Sequence, residues 1–381
     1  MKSKLLSIII PTYNMAGLLP RCLDSLVSAK QADKLDVLVV NDGSKDNSLE
    51  VAQGYAWKYP TIVRVIDKPN GNYGSTINTA LPVAEGLYVK VLDSDDWFDT
   101  AVLDNFVDSI KNINRCAGRG QDTGRSADRG QDTEYAPVPD MIVTHFTQIG
   151  ATTREVYKYN TMGREPYEYG KVYALDEVLK DGYIRFFLMH ALTYRTELLR
   201  QIGYKQTEGV SYTDTEWACY PTFYAKTICF LDLNLYQYNL DREGQTMAPE
   251  VLMKSVRQLQ TVTDAMLAYY AAHKADLTEV RGKWMANYFI NRLRILYKIY
   301  LLDMPRADFN PAELEQMDAK YAPICQQYGW RVRLYPENKL LRTEYISYWH
   351  KHHRRWPAWY ERLNSSVDKV VKWLYVKLFR R

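Results

Sequence analysis

The first ninety residues alternate between short apolar runs and segments with helical spacing. The apolar runs are 5–10, 36–40, 63–66 and 88–92, and the helical segments between them are 16–28, 46–59 and 75–84. Short, β-branched runs without polar alternation are typical of strands that are buried on both faces. Strands that alternate with helices at this spacing predict a doubly wound, mostly parallel α/β sheet. Ligands of such sheets bind beyond the carboxyl ends of the strands.

The remainder of the chain predicts two further regions. Strand-like pieces and one helix start follow, at 141–145, 154–159, 183–194, 211–217, 228–231 and 235–238. After Pro249 the spacing is helical, with breaks at 305–311, 329–336 and 357. We therefore predict a catalytic domain over 1–248 and a helical C-terminal region over 249–381.

An insertion interrupts the predicted domain at 115–135. The sequence RGQDT occurs at 119 and again at 129, in a segment that is poor in apolar residues. Such a composition buries too little apolar surface to offset the entropy of ordering, so we predict a disordered insertion.

Cysteine usage and hydropathy indicate where the protein works. The five cysteines are odd in number and none has C-x-x-C spacing, which argues against a disulfide framework or a zinc site. The apolar run near the N-terminus is too short for a signal peptide, and no stretch of eighteen apolar residues occurs. We predict a cytoplasmic protein.

The C-terminal tail is basic although the formal net charge of the whole chain is only +4. Residues 339–381 contain eleven Lys or Arg and three Asp or Glu, and 367–381 combine this charge with apolar residues at helical spacing. One interpretation is peripheral contact with an anionic membrane, at the inner face of the cell membrane. The other is a helix packed on its own domain with a solvated basic face.

An acidic segment, DSDD at 93–96, follows the fourth predicted strand. Asp93 and Asp95 can both reach one divalent ion, and hard oxygen ligands suit Mg²⁺ or Mn²⁺. Such an ion would bridge the phosphates of a nucleotide diphosphate. The alternative is an acidic turn, in which Asp96 caps the following helix.

Three other polar positions are candidates for the same site. Asp42 follows the second strand, and its carboxylate can accept the imide N–H of uracil; the alternative is a strand-end turn. Asp214 can act as a general base, with Glu216 as the competing candidate and a helix cap as the alternative role. Arg242 can reach a phosphate or an acceptor, unless it forms a loop salt bridge.

Five segments, in this order, resemble the motifs of the family 2 glycosyltransferases, which have the GT-A fold. They are SIIIPTYN at 7–14, VVNDGS at 39–44, LDSDD at 92–96, YTDTEW at 212–217 and REGQT at 242–246. Two positions depart from the family pattern: Thr213 stands where many members have Glu, and Ile77 where members often have Arg. The resemblance implies a Rossmann-like GT-A domain with a helical C-terminal extension.

The resemblance also implies the roles of individual residues. Asp214 is the implied catalytic base, and Asp95 with Asp93 would bind Mn²⁺ or Mg²⁺. The implied nucleotide-sugar contacts are Pro11, Thr12, Tyr13, Asn14, Asp42, Gly74, Asp93, Ser94 and Arg242.

The expected function is inverting transfer of a hexosyl or N-acetylhexosaminyl group from a UDP-sugar. The acceptor would be a hydroxyl of a saccharide or a lipid-linked saccharide, in the synthesis of surface polysaccharide or glycoconjugate, with no nucleic-acid partner. One alternative is a sugar nucleotidyltransferase, but that class is expected to have a Gly- and Arg/Lys-rich loop after the first strand. Another is a catalytically decayed carbohydrate-binding GT-A protein, against which the intact acidic set argues.

Overall fold

A computed structural model describes residues 4–118, 138–159, 166–240, 251, 253, 255–335 and 344–379. The chain divides into two compact units. The first contains 1–245 and 268–285, and the second contains 246–267 and 286–381. The domain boundary at 248/249 stays a prediction, and the first unit takes in one later segment, 268–285.

Ten strands of the first unit form one sheet. They are β1 (Leu6–Thr12), β2 (Leu35–Asp42), β3 (Val63–Lys68), β4 (Tyr88–Val91), β5 (Trp97–Phe98), β6 (Met141–Gly150), β7 (Thr153–Tyr157), β8 (Val172–Ala174), β9 (Leu192–Arg195) and β10 (Thr227–Asn239). The strand order is β3-β2-β1-β4-β9-β6-β10-β5, with β7 paired to β6 and β8 paired to β10.

The parallel half of this sheet agrees with the sequence prediction. β3, β2, β1 and β4 pair in parallel, and every residue of β1, β2 and β4 is buried. Helices α1 (Leu19–Val27), α2 (Ser48–Lys58) and α3 (Asn72–Ala80) form the crossovers. Because β3, β2, β1 and β4 all run in the same direction, the loops after β1, β2 and β4 lie at one edge of the sheet.

The second half of the sheet is mixed. β9 pairs antiparallel with both β4 and β6, whereas β6 and β10 are parallel. Four further helices belong to this unit: α4 (Thr100–Gly118), α5 (Leu175–Lys180), α6 (Thr196–Gln201) and α7 (Asp214–Cys219).

Three sequence predictions are wrong in their details. Residues 115–118 form the last turn of α4 and are not part of a disordered insertion, while 119–135 lie outside the described residues. In the segment 183–194 only β9 is a strand. The two strands predicted at 228–231 and 235–238 are one strand, β10, because pairing with β6 continues across an irregular stretch between Phe230 and Tyr236.

The chain after residue 255 is helical, as predicted. Its helices are α8 (Val256–His273), α9 (Glu279–Lys298), α10 (Pro311–Tyr328), α11 (Tyr345–His352) and α12 (Ala358–Phe379). Asn310 caps α10 through its side chain, and Gly329, at φ +67°, ends it. None of the helices in the described part of the chain is both long and apolar enough to cross a membrane.

Candidate active site

The loop after β1 is attached to the loop after β2. Pro11 and Thr12 are buried, Tyr13 is exposed, and Asn14 has a positive φ of 55°. The N–H of Asn14 donates to Ser44 Oγ (3.0 Å), and Asn14 Oδ1 accepts from the N–H of Lys45 (2.7 Å). The positive φ, which Asn tolerates better than most residues, turns the chain so that both bonds form.

Asp42, the last residue of β2, is buried at this edge of the sheet. Its Oδ1 accepts from Lys68 Nζ (2.7 Å) and from the N–H of Gly71 (2.9 Å). Asn70 Nδ2 donates to the Asp42 carbonyl oxygen (2.9 Å). Asp42 is therefore fixed by the last residue of the neighbouring strand β3 and by residues that follow it.

The acidic segment 93–96 lies directly after β4 and is held by aromatic hydroxyls. Tyr73 on α3 donates to Asp93 Oδ1 (2.8 Å). Tyr236 on β10 donates to Asp96 Oδ2 (2.6 Å) and accepts from the N–H of Asp93 (3.2 Å). The N–H of Asn239 donates to Asp96 Oδ1 (2.7 Å).

Asp96 does not cap the following helix. Its side chain is buried, and burial, followed by the charges of Asp93 and Asp95, raises the pKa of this carboxyl group well above its usual value. Asp99 makes the cap instead, because its Oδ1 accepts from the N–H groups of Ala101 and Val102 (3.1 Å each). Asp96 thus anchors the acidic segment to β10.

Asp95 and Ser94 complete the segment. Ser94 is buried, whereas the side chains of Asp93 and Asp95 are half-buried. Arg21 on α1 donates to the Asp95 carbonyl oxygen (2.9 Å), and its guanidinium lies 3.8 Å from the centre of the Trp97 ring. The backbone of the segment is therefore held from α1 as well.

His190 joins the acidic segment, although no sequence motif pointed to it. One ring nitrogen of His190 and carboxylate oxygens of Asp93 and Asp96 all lie within 4.8 Å of one another. His190 is buried, its ring stacks on Tyr238 (4.2 Å between centroids), and its Nδ1 has no hydrogen-bond partner among the described residues. Burial, with a smaller contribution from Lys90, lowers the pKa of His190 to about 3. Two carboxylates and a neutral imidazole are a donor set that fits a divalent metal ion.

Lys90, on β4, lies beneath this cluster. It is fully buried, and its Nζ donates to the carbonyl oxygens of His190 (2.8 Å) and Leu192 (3.1 Å). Burial lowers the pKa of this amine to about 7. The two carbonyl contacts tie the 3₁₀ turn that carries His190 to the central sheet.

Asp214 is the first residue of α7, directly after a strained turn. Tyr212 has a φ of 69°, which is unfavourable for a bulky residue. Thr213 occupies the N-cap position and makes no side-chain cap. Burial and then the charges of Asp96, Asp93, Asp214 and Asp95 raise the pKa of Tyr238, so all four carboxylates lie within electrostatic range of this tyrosine.

Glu216, the competing base candidate, has a structural role. It is fully buried, its Oε2 accepts from the N–H of Thr207 (2.7 Å), and its Oε1 accepts from the hydroxyls of Thr207 (2.7 Å) and Tyr220 (3.1 Å). These contacts join α7 to the segment 206–209.

Gly74 lies in α3 against that same segment. A Cβ at position 74 would be 2.1 Å from the carbonyl oxygen of Thr207. Nearby, Asn78 Nδ2 donates to the Gln206 carbonyl oxygen (2.9 Å), and Asn78 Oδ1 accepts from the Gln206 N–H (2.8 Å). Gly74 thus permits close packing between α3 and the chain that leads to Asp214.

The structure therefore brings Asp42, the acidic segment 93–96 and Asp214 to one edge of the sheet, together with the loop at 11–14. Arg242 lies outside the described residues. Sequence reasoning missed Tyr73, His190 and Tyr236. Tyr73 lies four residues before Ile77, a position already compared with the family pattern, but nothing in the sequence indicated a contact with Asp93.

Comparison with known proteins agrees with this arrangement. Residues 7–175 match the family model of Glycosyl transferase family 2. An uncharacterised glycosyltransferase of Mycoplasma pneumoniae is 44% identical over 97 residues, 25% of this chain and 32% of that protein. Chondroitin synthase of Pasteurella multocida is 44% identical over 95 residues, 25% of this chain and 10% of that protein. The matched segment thus spans a third or less of these relatives.

Solved structures show the same fold. Residues 1–349 of TarS from S. aureus have a TM-score of 0.57 at 21% identity, over 85% of this chain and 82% of that chain. The same TarS segment in complex with UDP-GlcNAc gives a TM-score of 0.53 at 20% identity, over 85% and 87% of the two chains. The mixed sheet with acidic residues at the end of β4 is the GT-A fold. The matched region, residues 7–175, is similar to glycosyltransferase family 2.

Proposed function

We propose that the protein is an inverting glycosyltransferase that moves a sugar from a UDP-sugar to a hydroxyl of a saccharide or lipid-linked saccharide. One observation carries the proposal: directly after β4, carboxylate oxygens of Asp93 and Asp96 lie within 4.8 Å of a ring nitrogen of His190, and Asp214 is close enough to raise the pKa of Tyr238 together with them. Asp42, at the end of β2 on the other side of β1, is at the same edge of the sheet. This reaction needs a group that recognises the nucleobase, acidic residues next to the phosphates, and a general base that accepts a proton.

The donor would lie along the ends of β1, β2 and β4. Asp42 accepts the imide N–H of uracil, and residues 11–14 with Gly74 border the nucleotide. Asp93 and Ser94 contact the ribose and the diphosphate, and Arg242 provides a cation on the phosphate side. The TarS complex with UDP-GlcNAc supports a uridine donor.

Asp95 and Asp93 would hold Mn²⁺ or Mg²⁺, with His190 and Asp96 next to them. The buried His190 nitrogen without a partner supports this assignment, because a neutral imidazole can donate its lone pair to a cation. When bound, such an ion neutralises the charge that develops on the leaving diphosphate. Tyr73 and Tyr236 orient Asp93 for that task through its carboxylate and its backbone N–H.

Asp214 acts as the general base. It accepts the proton of the acceptor hydroxyl while that oxygen forms a bond to the anomeric carbon and the bond from that carbon to the diphosphate breaks. One displacement from the face opposite the leaving group inverts the anomeric configuration. Glu216 takes no part, because buried hydrogen bonds to Thr207 and Tyr220 occupy its carboxylate.

Hydrolysis of a panel of UDP-sugars, with and without Mn²⁺, tests this function. We expect metal-dependent release of UDP, and a loss of at least about 100-fold in Asp95→Asn and Asp214→Asn, since each removes one catalytic contribution. The control is Asp108→Asn, because Asp108 is an exposed carboxylate on α4 that pairs with Lys111. This variant should keep full activity. Unchanged turnover in both site variants would refute the assignment. Pyrophosphate release from UTP and a sugar 1-phosphate would indicate a nucleotidyltransferase instead.

The exposed residues of the C-terminal helix α12 support the proposal that the acceptor is bound to a membrane. Trp359, Leu363 and Val370 are exposed on α12 at spacings that place them on one side of the helix, and Arg362 and Lys369 are exposed beside them. An exposed apolar stripe among basic residues suits an anionic lipid surface. We expect the protein to sediment with vesicles that contain phosphatidylglycerol. A double variant, Trp359→Ser with Leu363→Ser, should not, and equal sedimentation of both proteins would contradict this contact.

A further inference from the structure

We propose that Lys68 is a positioning residue that orients the Asp42 carboxylate and thereby sets the preference for uracil over cytosine. This inference rests on the proposed function, because it concerns the base of the nucleotide donor. Lys68 is outside every motif that the sequence pointed to, and it acts on the nucleotide only through Asp42.

The register of the sheet places the two residues side by side. β2 and β3 pair in parallel, and Lys68 is the direct partner of Asp42 at the ends of both strands. Lys68 Nζ donates to Asp42 Oδ1 (2.7 Å), Ser75 Oγ (2.8 Å) and the Pro69 carbonyl oxygen (2.6 Å). An ammonium group has three donors, and all three are used inside the protein.

Every side-chain contact of Asp42 in the described residues falls on the same oxygen. Besides Lys68, the N–H of Gly71 donates to Oδ1 at 2.9 Å, and Ser75 Oγ lies 3.5 Å from it. The side chains of Lys68 and Asp42 are only 17% and 4% exposed, so water competes little for these bonds. Three contacts on Oδ1 fix the carboxylate plane and keep Oδ2 as the acceptor for a ligand.

The backbone around the pair is built for this contact. A Cβ at Gly71 would lie 2.6 Å from Ser75 Oγ and 3.1 Å from Lys68 Nζ, so the position needs glycine. Gly43, at φ +69°, turns the chain after Asp42, and a Cβ there would be 3.0 Å from the Asn70 nitrogen. The segment 68–75 thus wraps closely around the carboxylate.

The consequence for recognition follows from the edges of the two pyrimidines. Uracil presents an N–H donor at N3, whereas cytosine presents a lone pair there, which a carboxylate oxygen repels. A carboxylate that is fixed with Oδ2 towards the base discriminates between the two. A carboxylate free to rotate, or to pair with another donor, discriminates less.

The test compares the binding of UDP and CDP to the full chain by calorimetry in the presence of Mg²⁺. The wild-type protein should bind UDP at least about tenfold more tightly than CDP. Uracil forms one hydrogen bond with the Asp42 carboxylate, and cytosine places a lone pair at the same position. Lys68→Met should weaken UDP binding about tenfold and CDP binding less than about twofold, so that the selectivity falls. Lys34→Met, which breaks an exposed Lys–Asp pair with Asp33, is the matched control and should preserve both affinities.

The outcomes separate this inference from the proposed function. If Lys68→Met weakens UDP and CDP equally, or changes neither, Lys68 has no positioning role and the inference is wrong. If the wild-type protein binds neither nucleotide, the proposed function itself fails. Should Lys68→Met not fold, Ser75→Ala removes one acceptor of the same ammonium group, and it should reduce the UDP-to-CDP selectivity about threefold. An unchanged ratio in Ser75→Ala would also overturn the inference.

Discussion

Two helical glycines allow a direct test of how α3 positions the catalytic base. Gly74→Ala would place a Cβ 2.1 Å from the Thr207 carbonyl oxygen and 2.9 Å from the Gln206 Cβ, whereas Gly54→Ala, in α2, meets no atom within 4 Å. Both changes gain about 0.5–1 kcal/mol of helix propensity. The difference between the two variants therefore isolates the contact between α3 and the segment 206–209.

The size of the effect follows from what must move. Thr207 cannot yield easily, because the buried Glu216 carboxylate accepts from both its N–H and its hydroxyl. Overpacking of this kind costs about 1–3 kcal/mol, and strain on the two hydrogen bonds between Asn78 and Gln206 adds about 1 kcal/mol. After the helix gain is subtracted, Gly74→Ala should be about 1–3 kcal/mol less stable than the wild-type protein.

Urea unfolding of the three proteins measures this, with the wild-type protein as reference. Gly54→Ala should unfold at an equal or higher urea concentration, and Gly74→Ala at a lower one. Hydrolysis of the UDP-sugar by Gly74→Ala should also fall, because the displaced segment leads to Asp214. If Gly74→Ala is as stable as Gly54→Ala, the glycine is not needed for packing, and a direct contact with the nucleotide becomes the better explanation of its presence.

Two further predictions concern the buried groups beneath the acidic segment. Tyr236→Phe leaves Asp96 Oδ2 without its buried donor and should lower the unfolding free energy by about 1.5–3 kcal/mol. The control, Tyr55→Phe, breaks a 2.7 Å bond to the exposed Asp24 and should lower it by less than about 1 kcal/mol. Equal losses in the two variants would contradict the buried role of Asp96. Lys90→Met tests the pKa of the buried amine, which the fold lowers from 10.5 to about 7. Because the unfolded chain takes up this proton first as the pH falls, wild-type stability should drop by about 4–5 kcal/mol from pH 10.5 to pH 7 relative to Lys90→Met, with no further relative change below pH 7. Parallel stability curves of the two proteins would refute the lowered pKa.

The parallel half of the sheet could be read from the sequence because its signals are local. Each buried strand is one uninterrupted apolar run, and each crossover helix has its own spacing. The positions of Asp42 and Asp93 followed from this, since the carboxyl ends of neighbouring parallel strands meet. The mixed half was less predictable: Asp232 and Asn234 interrupt the apolar pattern of β10, although its pairing with β6 continues.

The supporting residues of the site could not be found in this way. Tyr236 and Asp93 are 143 residues apart, and no periodicity links them. Likewise, Asp214 and Glu216 share the first turn of α7, so spacing alone favours neither as the base. The hydrogen bonds that Glu216 accepts from Thr207 and Tyr220 distinguish it from Asp214 as a structural residue, and these bonds depend on the fold as a whole.

The three carboxylate positions differ in how they are held, and this difference has a consequence for catalysis. Hydrogen-bond donors fix Asp42 and Asp96 at the ends of β2 and β4, and Asp214 sits on a six-residue helix behind the strained residue Tyr212. A strained backbone persists only where its surroundings hold it in place. Here α3 holds the segment that leads to Tyr212 through the packing of Gly74 and the hydrogen bond of Asn78. The bond between the Gly209 N–H and the Gly71 carbonyl oxygen (2.8 Å) holds it as well. Gly71 also donates to Asp42, so the same short segment supports the nucleotide-base position and the catalytic-base position. A change at the nucleotide-base end of this segment should therefore alter the catalytic rate as well as donor affinity.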